Sequence, residues 1–413
     1  MNIRSFLNNL KKDFRLIFGN YFQQIASIVF GIVVAKKITP DAYGIFGLAI
    51  LLTTYLKFLN FGGQFTINKR LSIRTDSWLS YNYLAFNIVV FPIIAGIVLI
   101  VFYYFDLIPL LNPYYIYIWL FLIFDNSFQL IQGVIRAKGL SKLLGNSRLV
   151  TGVIVLILMF FFIYWQFEND PLPLFVKLLI IPLIGVIYFI FLPDVRNFLF
   201  FPKNKKIKYF KFFIYEGIVL GVYVFLQDFL ASIDRFFIAT NYLTYDLGIY
   251  SFAFSIASPI LLVLSTVMYM DYSRYMRLFK GINSQDFQIL KLEMLKKFFV
   301  LYISFTIIGS IFVFALLNIY LIEYKSSFIV LFTILITYIP TILSYPYSLY
   351  FIANGLNKYI TRVIILGVVL SALFDFLIAF SGFNYIYIIF ATFFSKLVIY
   401  ACFYFKLKRI INA

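Results

Sequence analysis

Residues 35–49 read AKKITPDAYGIFGLA, and residues 239–253, which lie 204 positions further along the chain, read ATNYLTYDLGIYSFA. Four aligned positions are identical, and among them Gly44 aligns with Gly248. Each stretch joins two apolar runs at the corresponding place in its half of the chain. The match predicts an internal duplication, which is common in membrane transporters.

A second pair of matching stretches supports the duplication. AKGLSK at 137–142 and ANGLNK at 353–358 share four of six residues at an offset of 216. The similar offsets and the common order favour duplication over the alternative, which is chance similarity between apolar stretches. We therefore predict two six-helix lobes, 1–210 and 211–413, related by a pseudo-twofold axis along the membrane normal. A substrate path is expected between the lobes.

The composition identifies the class of protein. Of the 413 residues, 63% are apolar and 13% are charged, whereas a soluble domain is about 45–50% apolar and about 25% charged. This balance excludes a soluble enzyme, a disordered chain and a disulfide-stabilised scaffold. Because a backbone in lipid must satisfy its own hydrogen bonds, the apolar runs are predicted to be α-helices. We predict an all-α polytopic membrane protein with 12 transmembrane helices, at 15–35, 43–61, 80–104, 114–135, 148–165, 172–193, 211–240, 246–269, 297–322, 327–353, 361–381 and 384–405.

The first 14 residues form a further predicted element. Apolar side chains recur there at helical spacing, with Arg4, Lys11 and Lys12 elsewhere on the helix. This pattern is typical of a short amphipathic helix that lies on the inner leaflet. We assign this N-terminal helix to the first lobe; its apolar residues are Ile3, Phe6, Leu7, Leu10 and Phe14.

The charge balance of 35 basic against 17 acidic residues has a topological explanation. With the N-terminus inside, 28 basic residues lie at the cytoplasmic ends and connections and three on the opposite side. Cytoplasmic connections of membrane proteins collect Lys and Arg, so both termini are predicted to be cytoplasmic. No nucleic-acid partner is needed to explain the basic balance. Four basic residues remain within the spans: Lys57, Lys177, Arg235 and Lys396.

The chain lacks the residues that several kinds of chemistry require. The sequence contains no His and one cysteine, Cys402, so neither a His/Cys metal cluster nor an intrachain disulfide is possible. The phosphate-binding motif G-x-x-x-x-G-K-[ST] is absent. We predict no metal, no cofactor and no catalytic residues, and we expect a transporter, not an enzyme.

The repeated stretches resemble a known family. Residues 34–49 and 232–253, with the AKGLSK and ANGLNK turns, resemble the polysaccharide transporter family. These are the O-antigen (Wzx-type) flippases of the multidrug/oligosaccharidyl-lipid/polysaccharide (MOP) exporter superfamily. The most specific piece is Ile-Asp-Arg at 233–235, followed by Gly-Ile-Tyr at 248–250. The resemblance implies a MATE-like arrangement of two bundles that open alternately to the cytoplasm and the periplasm.

The same resemblance implies a substrate, a location and partners. The substrate would be an oligosaccharide repeat unit on undecaprenyl pyrophosphate, used for O-antigen, lipopolysaccharide or similar polysaccharides. The location would be the bacterial inner membrane. The partners would be membrane lipids, a coupling ion (H+ or Na+) and other polysaccharide-assembly proteins.

The basic residues within the spans are candidates for binding the pyrophosphate. An ionised side chain at a helix centre costs about 2.5–3.5 kcal/mol, so each one needs a reason. Arg235 is the strongest candidate because its planar guanidinium matches phosphate oxygens; a structural contact is the alternative. Lys396 lies near mid-depth. Lys57 and Lys177 lie near span ends, where snorkelling to the headgroups is the simpler interpretation.

Polar side chains on the first span are candidates for binding sugar hydroxyls. Asn20, Gln23, Gln24 and Ser27 recur every three or four residues, and the duplication aligns Gln23 with Gln227. Hydrogen bonding between packed helices is the alternative for any one of them. The substrate-binding candidates are therefore Arg235, Lys396, Lys57, Asn20, Gln23, Gln24 and Gln227.

Ion coupling needs a group that binds a proton or a cation, and without His the candidates are carboxylates. We select Asp228, Asp125 and Asp375, each within a predicted span. A buried ion pair between two of Asp125, Asp228 and Lys396 is the structural alternative, and for Asp375 the alternative is a purely structural role. Prolines within spans are expected to bend or break helices; these are Pro92, Pro182, Pro259, Pro340 and Pro346.

Two other functions remain open at this stage. A drug or cation antiporter of the same fold would need an acidic or apolar cavity. A membrane polysaccharide polymerase would need acidic residues on sizeable outer loops, where the sequence has only scattered ones such as Asp106, Glu168 and Asp170.

Overall fold

A computed structural model describes residues 3–60, 90–137, 140–165, 169–192, 221–222, 224–282 and 284–412. Residues 224–230 are helical and precede the seventh of the helices named below. These helices are α1 (Ile3–Ala35), α2 (Pro40–Leu56), α3 (Phe91–Tyr104), α4 (Tyr115–Ala137), α5 (Ser141–Tyr164), α6 (Leu172–Ile190), α7 (Ile233–Asn241), α8 (Thr244–Phe279), α9 (Ser284–Ile319), α10 (Ser327–Ile336), α11 (Ile339–Ala353), α12 (Asn357–Phe380) and α13 (Ile386–Asn412).

The all-α membrane fold is confirmed. The described residues contain no β-strand, and ten helical segments among them are long and apolar enough to cross a membrane. The helix α3 is apolar but shorter. The predicted total of 12 spans stays a prediction, because parts of the third and seventh runs lie in 61–89 and 193–220, outside the described residues. The predicted lobe boundary at residue 210 also lies there.

Two segments outside the predicted spans continue the helices next to them. The backbone runs without a break from Ile3 to Ala35, so the N-terminal element continues into the first span and is not a separate helix. The basic segment after the eighth run extends α8 and α9, which have 36 residues each. At 1.5 Å per residue each helix is about 54 Å long, well beyond a hydrocarbon core of about 30 Å.

The span prolines divide into two groups. Pro92 and Pro340 lie within the first two residues of α3 and α11, and the tenth run is broken between Ile336 and Ile339. The expected break is therefore present at Pro340. Helices α6, α8 and α11 continue through the remaining three prolines, Pro182, Pro259 and Pro346.

Contacts between helices divide the chain into two compact units. The first contains 1–38 and 45–225, and the second contains 39–44 and 226–413. In the first unit α1 packs along α5, and α6 packs on α4, α5 and α1. In the second unit α13 packs on α10, α11, α12 and α7.

Glycines allow helices in each unit to approach closely. In the first unit a Cβ on Gly145 would overlap the Arg15 carbonyl oxygen, and one on Gly19 would overlap the Gly145 carbonyl oxygen. Small residues permit this backbone contact between membrane helices. In the second unit a Cβ on Gly248 would overlap the carbonyl oxygen of Pro40. One on Gly44 would likewise overlap that of Thr244.

This second contact is reciprocal in the register of the duplication. At the offset of 204, Pro40 aligns with Thr244 and Gly44 aligns with Gly248. Gly44 contacts Thr244 and Gly248 contacts Pro40, so the repeat relates the two contacts to each other. Aligned residues that meet in this way support an internal repeat.

The α1–α5 contact leads to a stability prediction. We expect Gly145→Ala to lower the melting temperature of the purified protein, because the added methyl group meets backbone, which cannot rotate away. The cost should be about 1–3 kcal/mol. Fluorescence-detected melting in detergent measures it.

Gly309→Ala is the matched control. Its Cβ would lie 2.8 Å from Cδ1 of Ile260, the end of a flexible side chain, and alanine is the better helix former. We expect this variant to melt at or above the wild-type temperature. Equal melting of the two variants would contradict the close backbone contact at Gly145.

Candidate functional site

One face of α4 carries the polar side chains of the first unit. Asp125 and Gln132 lie on this face, because residues seven apart are neighbours across two helical turns. The Lys57 Nζ lies 2.8 Å from Oδ2 of Asp125, and it is 5.1 Å from the ring centroid of Phe121. The snorkelling interpretation of Lys57 is therefore wrong, because its ammonium turns to a carboxylate on α4.

A second cation, Arg148, contacts this face of α4 from a neighbouring helix. The sequence analysis counted it among the 28 basic residues of the cytoplasmic ends and connections. It lies within α5, where its guanidinium donates hydrogen bonds to Oε1 of Gln23 at 2.9 Å and Oε1 of Gln132 at 3.1 Å. The guanidinium carbon also lies 5.1 Å from the centroid of the Phe128 ring. Two helices thus direct amide oxygens at one arginine. We call Gln23, Lys57, Asp125, Gln132 and Arg148 the first-unit cluster.

The other polar residues of the first span differ from Gln23 in their environment. Gln23 is buried with Arg148, while Asn20 and Gln24 are half-buried. A separate amide contact joins Nδ2 of Asn60 to Oδ1 of Asn126 at 3.0 Å. Gln23 therefore has a structural partner, whereas Asn20 and Gln24 stay candidates for contact with a ligand.

In the second unit, Asp234 and Arg235 point to different neighbours. Oδ2 of Asp234 accepts a 2.5 Å hydrogen bond from the hydroxyl of Tyr250 on α8, and Oδ1 accepts one from the backbone N–H of Arg235 at 2.8 Å. The guanidinium of Arg235 lies 4.3 Å from the ring centroid of Phe254. Both charged residues are buried. The acid therefore braces α7 against α8, while the cation lies against an aromatic face.

Two further charged residues lie in the same electrostatic environment. Asp375 on α12 is fully buried; its Oδ2 accepts a hydrogen bond from Ser371 at 3.4 Å. The Lys396 Nζ on α13 lies 4.7 Å from the centroid of the Tyr338 ring. The helix α7, which carries Asp234, packs on both α12 and α13. We call Asp234, Arg235, Tyr250, Asp375 and Lys396 the second-unit cluster.

The remaining candidates lie outside this cluster. Gln227 and Asp228 are exposed on the helical segment 224–230. Their backbone carbonyls accept hydrogen bonds from the Ala231 N–H and the Ser232 hydroxyl. Asp228 is thus exposed, unlike the buried Asp125 and Asp375.

The two clusters differ in the chemistry that they offer. Guanidinium and ammonium groups bind phosphate oxygens, whereas two carboxylates that act on one another suit a proton or a cation. Within the described residues no group of three or more His, Cys, Asp or Glu side chains could hold a metal ion. The chemistry available is therefore binding of anions, cations and hydroxyl groups.

The sequence analysis missed Arg148 and Tyr250. Arg148 follows a turn in a basic segment, so its own surroundings in the sequence gave no sign of an interior contact. The available signal was Gln132, whose position seven residues beyond Asp125 indicates a polar face on the neighbouring helix. Tyr250 aligns with Phe46 in the duplication. The hydroxyl of Tyr250, which Phe46 lacks, was the available signal of a polar contact, because a buried hydroxyl needs a hydrogen-bond partner.

The described residues form a helical, multi-pass membrane protein with charged side chains inside its spans, which is the architecture of a transporter or channel class. The chain belongs to the polysaccharide biosynthesis protein family, whose model matches residues 10–269. The resemblance stated from the sequence is therefore confirmed at the level of the family. No curated protein sequence is a significant match to this chain.

Solved structures share the fold at low sequence identity. Lipid II flippase MurJ in an inward closed conformation has a TM-score of 0.68 and 12% identity, over 95% of this chain and 87% of MurJ. An outward-facing multidrug resistance MATE transporter of the MOP superfamily has a TM-score of 0.59 and 12% identity, over 97% and 96% of the two chains. A MOP superfamily transporter from Pyrococcus furiosus, described as having a binding pocket of reverse polarity, has a TM-score of 0.57 and 12% identity, over 98% and 96%.

The ion pair in the first-unit cluster can be tested by a double-mutant cycle. We expect Lys57→Gln and Asp125→Asn each to destabilise the protein, because each leaves one charge without its partner. The Lys57 side chain is 40% exposed, so the coupling should be about 1–2 kcal/mol, between the values for exposed and buried pairs. Detergent-driven unfolding of the single and double variants measures it.

The double variant is its own control, since it removes both charges and should recover part of the lost stability. Additive losses in the double variant would show that the 2.8 Å contact contributes nothing to the fold.

Proposed function

We propose that this protein is a flippase that moves an oligosaccharide repeat unit on undecaprenyl pyrophosphate from the inner to the outer leaflet by alternating access. The observation that carries the proposal is a pair of cations, Arg235 and Lys396, kept inside the spans of a polysaccharide biosynthesis family member. Among the described residues neither forms a direct ion pair. A membrane protein that keeps charge inside its spans at this cost requires a functional reason.

The proposed roles follow the chemistry of each side chain. In the second unit, Arg235 and Lys396 bind pyrophosphate oxygens, and Gln227 is exposed to contact sugar. In the first unit, Lys57 is the cation, and the half-buried Asn20 and Gln24 offer hydrogen bonds to hydroxyl groups. Gln23 acts through Arg148, whose guanidinium it orients.

The cellular setting is part of the proposal. The distribution of basic residues supports cytoplasmic termini in a bacterial inner membrane. The product would supply O-antigen, lipopolysaccharide or a similar polysaccharide, and other polysaccharide-assembly proteins would consume it. The likeness to lipid II flippase MurJ supports a lipid-linked substrate.

A flipping assay tests the proposed cations. We expect Arg235→Ala combined with Lys396→Ala to slow flipping of a lipid-pyrophosphate oligosaccharide in liposomes about tenfold or more, because two contacts to phosphate oxygens are lost. Binding of the lipid should weaken in parallel.

Lys325→Ala combined with Lys358→Ala is the matched control. It removes the same charge from two exposed residues outside both clusters, so flipping should stay at the wild-type rate. Undiminished flipping by the Arg235/Lys396 variant would refute the cationic site. A wild-type protein that flips no such lipid would refute the proposed function.

We further propose that transport is coupled to H+ or Na+ at Asp375. Its Oδ1 accepts no hydrogen bond from the described residues, and the same is true of the hydroxyl of Thr392 on α13, which packs on α12. A fully buried carboxylate near a second acid, Asp234, is unfavourable unless it binds a proton or a cation. Of the three carboxylates selected from the sequence, Asp125 is neutralised by Lys57 and Asp228 is exposed, so Asp375 is favoured.

The coupling proposal predicts a specific loss. We expect Asp375→Asn to abolish the response of flipping to an imposed H+ or Na+ gradient, while residual downhill flipping survives. Flipping is measured in liposomes with each gradient applied separately, which also identifies the ion.

Asp228→Asn and Glu323→Gln serve as controls, since both acids are exposed. Both variants should keep the wild-type gradient response. If Asp228→Asn loses the response and Asp375→Asn keeps it, the coupling acid is Asp228.

A drug or cation antiporter is the second candidate function. The buried acids Asp234 and Asp375 and the likeness to a multidrug resistance MATE transporter favour it. Transport of a cationic dye by the wild-type protein, together with no flipping of lipid-linked oligosaccharide, would establish this alternative.

A further inference from the structure

A third stretch of sequence belongs to the duplication. Residues 174–180 read LFVKLLI and residues 393–399 read FFSKLVI, with four identities in seven at an offset of 219. The aligned pair at the centre is Lys177 and Lys396. This offset continues the series of 204 and 216 that the other two matches define.

The packing of the two helices supports the alignment. Lys177 lies on α6, the last named helix of the first unit, which packs on α4, α5 and α1. Lys396 lies on α13, the last helix of the second unit, which packs on α11, α12 and α7. Each lysine therefore occupies the same place within its own unit.

The residues that face the two lysines also correspond. The Lys177 Nζ lies 5.3 Å from the ring centroid of Phe30 on α1, and that ring is fully buried. Position 30 aligns with position 234 at the offset of 204. The aligned residue is Asp234 on α7, which packs on α13, the helix of Lys396. The first unit therefore has an aromatic ring where the second unit has an acid.

This difference leaves Lys177 without an acid at the corresponding position. Within the described residues Lys177 has no hydrogen bond and no ion pair, and its ring contact is with Phe30. Because the ammonium turns to a buried ring on another helix, an interior position is favoured over snorkelling to the headgroups. A cation–π contact contributes about 0.5–2 kcal/mol, less than the cost of an unpaired ammonium in hydrocarbon.

We propose that Lys177 forms a phosphate-binding site in the first unit, the repeat counterpart of Lys396, in which the anionic headgroup of the substrate supplies the missing counter-charge. The inference rests on the proposed function for its ligand. The chemistry recognised is a phosphate or diphosphate group, whether on a lipid or free in solution. Phe30 holds the ammonium in place until the anion binds.

Binding measurements test the site without any transport step. The probes are inorganic pyrophosphate and undecaprenyl diphosphate without sugar, added to the full-length protein in lipid nanodiscs. We expect Lys177→Gln to weaken binding about tenfold or more, since a charge-assisted contact is lost, and Lys177→Arg to restore it. Lys325→Gln, at an exposed position, should bind like the wild type.

Substitutions at Phe30 test the counter-charge directly. Phe30→Asp places a carboxylate where the second unit has Asp234, and it should weaken binding because the acid pairs with Lys177. Phe30→Asn introduces a side chain of nearly the same shape as aspartate but without its charge. This variant should keep near-wild-type affinity. Melting temperatures of both variants confirm that they are folded.

The outcomes separate this site from the proposed function. If Lys177→Gln weakens binding of undecaprenyl diphosphate but not of inorganic pyrophosphate, the site is a lipid headgroup site. If the variant weakens binding of both probes, the site is a general diphosphate site. Unchanged binding by Lys177→Gln overturns the inference, and so does a wild type that binds neither probe. If the site binds diphosphate but the wild type flips no lipid-linked oligosaccharide, the site stands and the flippase function fails.

Discussion

The cost of placing charge in hydrocarbon determines how the interior of this protein is arranged. Three cations of the spans in the described part of the chain have a contact that lowers this cost: Lys57 has a carboxylate, Arg148 has amide oxygens, and Arg235 has an aromatic face. These contacts differ in strength, because only a carboxylate cancels the charge. Aromatic faces and amide oxygens stabilise a cation in place and leave its charge available to an anion. The degree of compensation therefore differs from one cation to the next.

The aligned stretches and the reciprocal contacts of Gly44 and Gly248 support a repeated framework with different electrostatics in its two copies. A lysine occupies the same position on the last helix of each, and helix packing around it is the same. The residue opposite has changed between Phe30 and Asp234, and Tyr250 has gained a hydroxyl that its counterpart Phe46 lacks. Both units therefore hold acids as well as cations, but in the described residues the direct ion pair lies in the first unit, between Lys57 and Asp125.

The sequence predicted the helices well and the contacts of the charged residues poorly. Long apolar runs, the even spacing of basic connections and the family resemblance all depend on local composition, which the structure preserves. Differences arose where helices continue into polar segments. Arg148 was assigned to a connection, and α8 and α9 extend beyond the eighth and ninth predicted runs. Lys57 was expected to snorkel, because its distance from the helix end is visible in the sequence and its partner Asp125 on another helix is not.

The sequence by itself determined that this chain is a helical membrane protein, it predicted that its halves are related, and it identified a few charged residues inside the spans. These conclusions follow from hydrophobicity and periodicity, which act along the chain. Only the tertiary structure decided which charges are compensated, because compensation depends on side chains brought together from distant helices. Lys177 illustrates the difference. Its place in the sequence suggested snorkelling to the headgroups, while in the described part of the chain its ammonium lies over the ring of Phe30 on another helix.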